Sequence, residues 1–145
     1  MKNELQSINW HDSRIHGFEF IRNRDSIVLE GRLILDVDYI VEWVETKNGP
    51  CQFKVTPADV VFYDVTHLVL HVDFATNLTA ISTLSVDDVA RKEVGKFGDA
   101  PLYEWTICIG WPMDSYIRFK ATRFLLKRRK RPILTKSQVL PRSKR

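Results

Sequence analysis

The sequence predicts an all-β protein with at most one short helix, an antiparallel sandwich or open barrel built largely of consecutive hairpins. Three observations predict it. Residues 33–43 read Leu-Ile-Leu-Asp-Val-Asp-Tyr-Ile-Val-Glu-Trp and are apolar at every odd position. That period of two belongs to a strand with one face in a core; a helix would scatter the same residues around its circumference. Roughly eight or nine apolar stretches follow one another at a spacing of about ten residues, as in sandwiches and barrels. Short turn-forming groups, not long links, separate them.

Taken in order, residues 1–9 are a frayed lead-in, and Trp10-His11-Asp12-Ser13 is a turn before a first strand over 14–21. Residues 22–26 are polar and turn-like, and 27–30 return to extended chain. Gly31 interrupts the alternation, which predicts a bulge or tight bend. The long strand 33–43 follows, with its odd side chains inward. Asn48-Gly49 invites a two-residue turn, but that register would set Trp43 against Lys54 and Val41 against Thr56, and opposed residues share a face. A three-residue loop over 47–49 sets Trp43 against Phe53, Val41 against Val55 and Glu42 against Lys54, with Gly49 in the left-handed position.

Pro57-Ala58-Asp59 is expected to end that partner strand. Residues 60–65 and 68–74 are two more strands joined by Thr66-His67, the second with Leu68, Leu70, Val72 and Phe74 inward. Residues 75–77 form a turn and 78–86 a weaker strand. Residues 87–94 fit either a helical turn or two, or an edge strand, and 95–101 are a loop. Residues 105–111 alternate again and pair with 116–123 through an odd-length loop, because both inward sets are odd-numbered. Trp43, Trp105 and Trp111 fall on inward faces.

The chain has 145 residues, 44% hydrophobic and 28% charged, which suits one soluble domain. No apolar run approaches the roughly 18 residues of a membrane span, and the first residues do not suit a signal peptide, so a cytoplasmic protein with two reduced cysteines, Cys51 and Cys108, is expected. The net charge of +4 conceals a division. Residues 127–145 hold nine Lys/Arg and no acid, so of 22 basic side chains 13 remain against 18 acids over residues 1–126, a balance of −5. The organisation expected is a single β domain over 1–126 and a basic C-terminal tail over 127–145.

Two clusters are candidate metal ligands. Asp36 and Asp38 stand two apart on a strand, so their carboxylates point the same way roughly 6–7 Å apart. With Glu42, and with His11 brought alongside, they would hold a hard cation or frame a hydrolytic site. The plain alternative is a solvated sheet face with Glu42 paired to Lys54. His11-Asp12 with His16 is the second cluster, against a turn-closing aspartate and a satisfied histidine. The run Lys127, Arg128, Arg129, Lys130 and Arg131 would bind an anionic partner: a nucleic-acid backbone, an acidic surface or the acidic body of this protein. No phosphate loop or nucleophile motif is present, and no cofactor is expected.

Trp10-His11-Asp12-Ser13-Arg14-Ile15-His16-Gly17, the stretch 35–43, Phe53-Lys54-Val55-Thr56-Pro57-Ala58 and Phe119-Lys120-Ala121-Thr122 together resemble a group of small bacterial proteins of unknown activity. In general type these are similar to toxin-immunity proteins, and the basic tail departs from the pattern. The resemblance implies a compact cytosolic domain. The sequence therefore favours a non-enzymatic module that binds an as yet unknown protein partner. A metal-dependent hydrolase and nucleic-acid binding through the tail are the alternatives.

Overall fold

A computed structural model describes residues 8–22, 31–73 and 83–145. The strands in chain order are β1 (Arg14–Arg22), β2 (Gly31–Val44), β3 (Gln52–Tyr63), β4 (Thr66–His71), β5 (Leu84–Phe97), β6 (Ala100–Trp111), β7 (Ser115–Ala121), β8 (Arg123–Arg128) and β9 (Ile133–Thr135), with one 3-10 turn at Arg142–Lys144. All pairings are antiparallel and form a single open sheet in the order β4-β7-β6-β5-β1-β2-β3-β8, with β9 on β3. The extended stretch at 27–30, most of the weaker strand at 78–86, the turn at 75–77 and the inward Phe74 lie outside the described residues, as does most of the lead-in.

The sheet folds on itself where β5 meets β1, because those strands pair only at Arg14–Ser85 and Ile15–Leu84. Each half then covers the other's apolar face. Phe62 of β3 meets Phe119 of β7 at 4.6 Å, Trp105 of β6 at 5.1 Å and Phe124 of β8 at 6.0 Å between ring centroids. Leu33, Leu35, Val37 and Tyr39 of β2 and Ile107, Ile109 and Ile117 of the other half complete this core. The alternating odd residues of β2 are buried because they lie between two sheet faces.

The β2–β3 hairpin keeps the expected register at its tip: Trp43 opposes Phe53 and Glu42 opposes Lys54. Gly49 does not take a positive φ. Below the tip the register shifts by one at Val41, so Ile40, not Val41, opposes Val55. This bulge inverts the faces. Below it the odd residues of β2 face the core, while Asp36, Asp38 and Ile40 occupy the outer face. Above it Trp43 shares the outer face with Phe53 and is 40% exposed, which corrects its inward assignment. Trp111 is also exposed, since it stands beyond the last β6–β7 pair, Ile109–Ser115. The tryptophan that is buried with Trp105 is Trp10.

Three further expectations differ from the structure. Pro57 does not end β3, which continues to Tyr63. Its carbonyl accepts from the Arg129 amide at 2.9 Å, so its missing N–H lies on the same edge, in the gap between β8 and β9 where the ladder is broken anyway. Residues 87–94 take the strand form, one of the two expected, but 95–101 are not a loop: β5 runs on to Phe97 and a two-residue turn at Gly98-Asp99 leads into β6. Gly31 lies within β2 and serves close approach: a Cβ there would sit 2.7 Å from the Val65 carbonyl and 2.9 Å from the Phe20 ring. The β6–β7 hairpin has the odd-length connection expected, with Ile107 on Ile117 and Trp105 on Phe119.

Candidate functional site

The outer face of β2–β3 carries the expected carboxylates, and the basic segment after residue 126 lies across them. Residues 123–128 form β8 on one half of β3, and 133–135 form β9 on the other. Between them Thr56 donates its hydroxyl to the Lys130 carbonyl at 2.6 Å. Leu140 closes a small apolar cluster with Ile40 and Val55. The segment is docked on the sheet through these contacts, although most of its residues remain exposed. The physical reason is charge complementarity: of the nine cations on this segment, Arg129 and Arg145 pair with Asp36, Asp38 and Asp59, and Leu140 supplies an apolar anchor beside them.

Asp38 is fully buried. One of its oxygens accepts from His16 Nε2 at 2.7 Å and from the Leu140 amide at 2.8 Å; the other accepts from Arg145 Nε at 2.9 Å. His16 reaches it because β1 bulges between Ile15 and Gly17, which releases the imidazole from strict alternation. Asp36 receives Arg145 through two nitrogens, at 2.6 and 3.1 Å. Asp36 also opposes Asp59 across the hairpin, a repulsive pairing. Arg129 resolves it by reaching Asp36 at 2.5 Å and Asp59 at 3.3 Å. Gln138 ties the segment to β1, accepting from Arg14 at 3.0 Å and donating to Asp12 at 3.2 Å.

These contacts set the ionisation of the recess. Burial alone would raise both aspartates. For Asp36 the hydrogen bonds and charge of Arg145 and then Arg129 outweigh it, and the carboxyl lies below its ordinary value. For Asp38 the His16 and Leu140 hydrogen bonds, with Arg145, do the same. Burial would lower Arg145, but Asp36 and Asp38 raise it above the ordinary guanidinium value. Both carboxylates therefore stand ionised and paired.

The candidate ligands Asp36, Asp38 and His11 are not brought together, and Glu42 leaves the trio because the Val41 bulge turns it to the other face. Glu42 pairs with Lys54 at 2.6 Å, as expected. His11 lies elsewhere, its Nδ1 3.1 Å from the Asp87 carbonyl. Among the described residues no three His, Cys, Asp or Glu side chains form a metal-binding group. Of the run 127–131, Lys127 opposes Asp59 in the β3–β8 ladder, Arg128 lies 5.9 Å over the Tyr39 ring and Arg129 is held by Asp36 and Asp59. Lys130 bonds the Arg145 carbonyl, and Arg131 is exposed. Asp59, Gln138 and Arg145 were not singled out by the sequence; the opposed charges of body and tail were the available signal.

A second feature lies where β1 and β5 part. A cleft of about 750 Å³ opens there, lined by Trp10, His11, Asp87, Asp88, Glu93 and Tyr103 among others. Asp12 and Ser13 continue the pairing to Val86, at 2.8 and 2.9 Å, and beyond Asp87 no described strand pairs with the β1-facing edge of β5. Cys51 and Cys108 are both free, and no helix among the described residues is long and apolar enough to cross a membrane. No protein-family model, curated protein or solved structure matches the chain.

Proposed function

We propose that this is a non-enzymatic, cytosolic interaction module that receives an extended segment of a protein partner along β5. The observation that carries this reading is the early parting of β1 and β5. Past Val86 and Asp87, which bond Asp12, Ser13 and His11, no described strand pairs with this edge of β5, and the edge faces a cleft rimmed by Trp10, Tyr103 and three carboxylates. An added strand would satisfy the N–H and C=O groups of that edge, and side-chain contacts in the cleft would select it. Asp87, Asp88 and Glu93 outnumber Arg91 in the lining and favour a basic segment. The resemblance to toxin-immunity proteins agrees with a small domain whose task is to bind.

The hydrolase alternative has less support, because the oxygens of Asp36 and Asp38 are engaged by the chain's own donors and His11 lies apart from them. Metal titration of the purified protein with no binding would end it. The interaction reading is tested by affinity capture from the native host, followed by hydrogen exchange on the purified pair. A stoichiometric partner that protects amides of residues 88–97, and is lost in an Asp88→Arg/Glu93→Arg variant, supports it. Capture of a partner that leaves those amides unchanged contradicts the β5 assignment.

A further inference from the structure

The outer-face recess has a second meaning that does not depend on β5. Three nitrogens of one guanidinium each meet a separate carboxylate oxygen: Nε on Asp38, and both terminal nitrogens on Asp36. A lysine ammonium is a single point and cannot span this set. The acceptors are fixed in advance. His16 of β1 holds the far oxygen of Asp38, and both aspartates stand in the β2–β3 ladder, Asp36 opposite Asp59 and Asp38 opposite Pro57. The occupant, by contrast, belongs to a lightly anchored segment. Of residues 129–145 only Leu140 is buried, so polar contacts do most of the holding. Segments with little apolar burial open at low free energy.

We propose that the Asp36–Asp38 recess is a receptor for an arginine side chain, filled by Arg145 in the isolated chain and by an arginine of a protein partner when the C-terminal segment lifts. Arg145 then acts as a tethered competitor that sets the threshold for an incoming arginine. Because the competitor is intramolecular, its effective concentration is high and the recess is closed to weak ligands.

The test uses the full-length chain with Arg145→Ala, and methylguanidinium at non-denaturing concentration as probe. The variant should melt several degrees lower than the native chain. Methylguanidinium should restore part of that loss, methylammonium should not, and the native chain should respond to neither. Adding Asp36→Asn to the variant should abolish the rescue. A Gly-Arg-Gly peptide should bind the variant about tenfold or more tightly than the native chain. Equal responses to the two probes, rescue that survives Asp36→Asn, or equal peptide affinity for both chains would overturn the proposal. Should Arg145→Ala fail to fold, the native chain decides: saturating Gly-Arg-Gly should speed exchange of the Leu140 amide, and no change would overturn it.

Discussion

One ribbon, β2–β3, carries two kinds of carboxylate, separated by the single extra residue at Val41. Above the bulge, Glu42 meets Lys54 at 2.6 Å, with both side chains about half exposed. Below it, Asp38 is fully buried and meets Arg145 at a longer 2.9 Å. Distance alone would rank the exposed pair first. Burial reverses the ranking. An exposed pair exchanges one set of water contacts for a screened attraction, whereas a buried carboxylate that loses its donors has no water to replace them. The two sites therefore differ in what their loss costs.

The largest expected effect follows from Asp38→Ala. It strands His16, the Leu140 amide and Arg145 at once, and should lower unfolding free energy by about 3–5 kcal/mol in urea titrations. Arg145→Ala leaves Asp38 two of its three donors and should cost less, about 2–3 kcal/mol by the same titration. Acid provides a gentler version of the same break. Asp36 and Asp38 have folded pKa values below the ordinary carboxylate value, so their stabilisation is full above that value and is lost as pH falls through the depressed folded values. Thermal melts should accordingly show the native chain losing stability on acidification more steeply than Asp36→Asn. The smallest effect belongs to Glu42→Gln, within about 0.5 kcal/mol. If Glu42→Gln matched Asp38→Ala, the contrast between the two sites would fail.

The same bulge marks where sequence reading succeeds and where it stops. Leu33, Leu35, Val37 and Tyr39 announce their face because alternation is a local property. The pairing of Trp43 with Phe53 was legible from turn length and face matching. The shift at Val41 was not, because a bulge in an unbroken apolar run leaves no gap in the pattern; it is fixed by what Ile40 finds on the outer face. Pro57 misled for a related reason, since a proline is excluded from a strand interior only where the neighbouring ladder needs its N–H. The recess was half visible. Asp36, Asp38 and His16 stood out as chemistry-bearing residues, and the division between an acidic body and a basic tail was plain. That Arg145, 107 residues from Asp38, completes the site is a long-range fact that no local period encodes.

Whether the basic segment is part of the folded body is decided by the Leu140 amide. Its acceptor is the buried Asp38 carboxylate, and its side chain is only 3% exposed. Hydrogen exchange at neutral pH should find it protected in the native chain and markedly less so in Arg145→Ala. A Leu140 amide in the native chain that exchanges as fast as in an unfolded peptide would contradict a docked segment, and with it the recess.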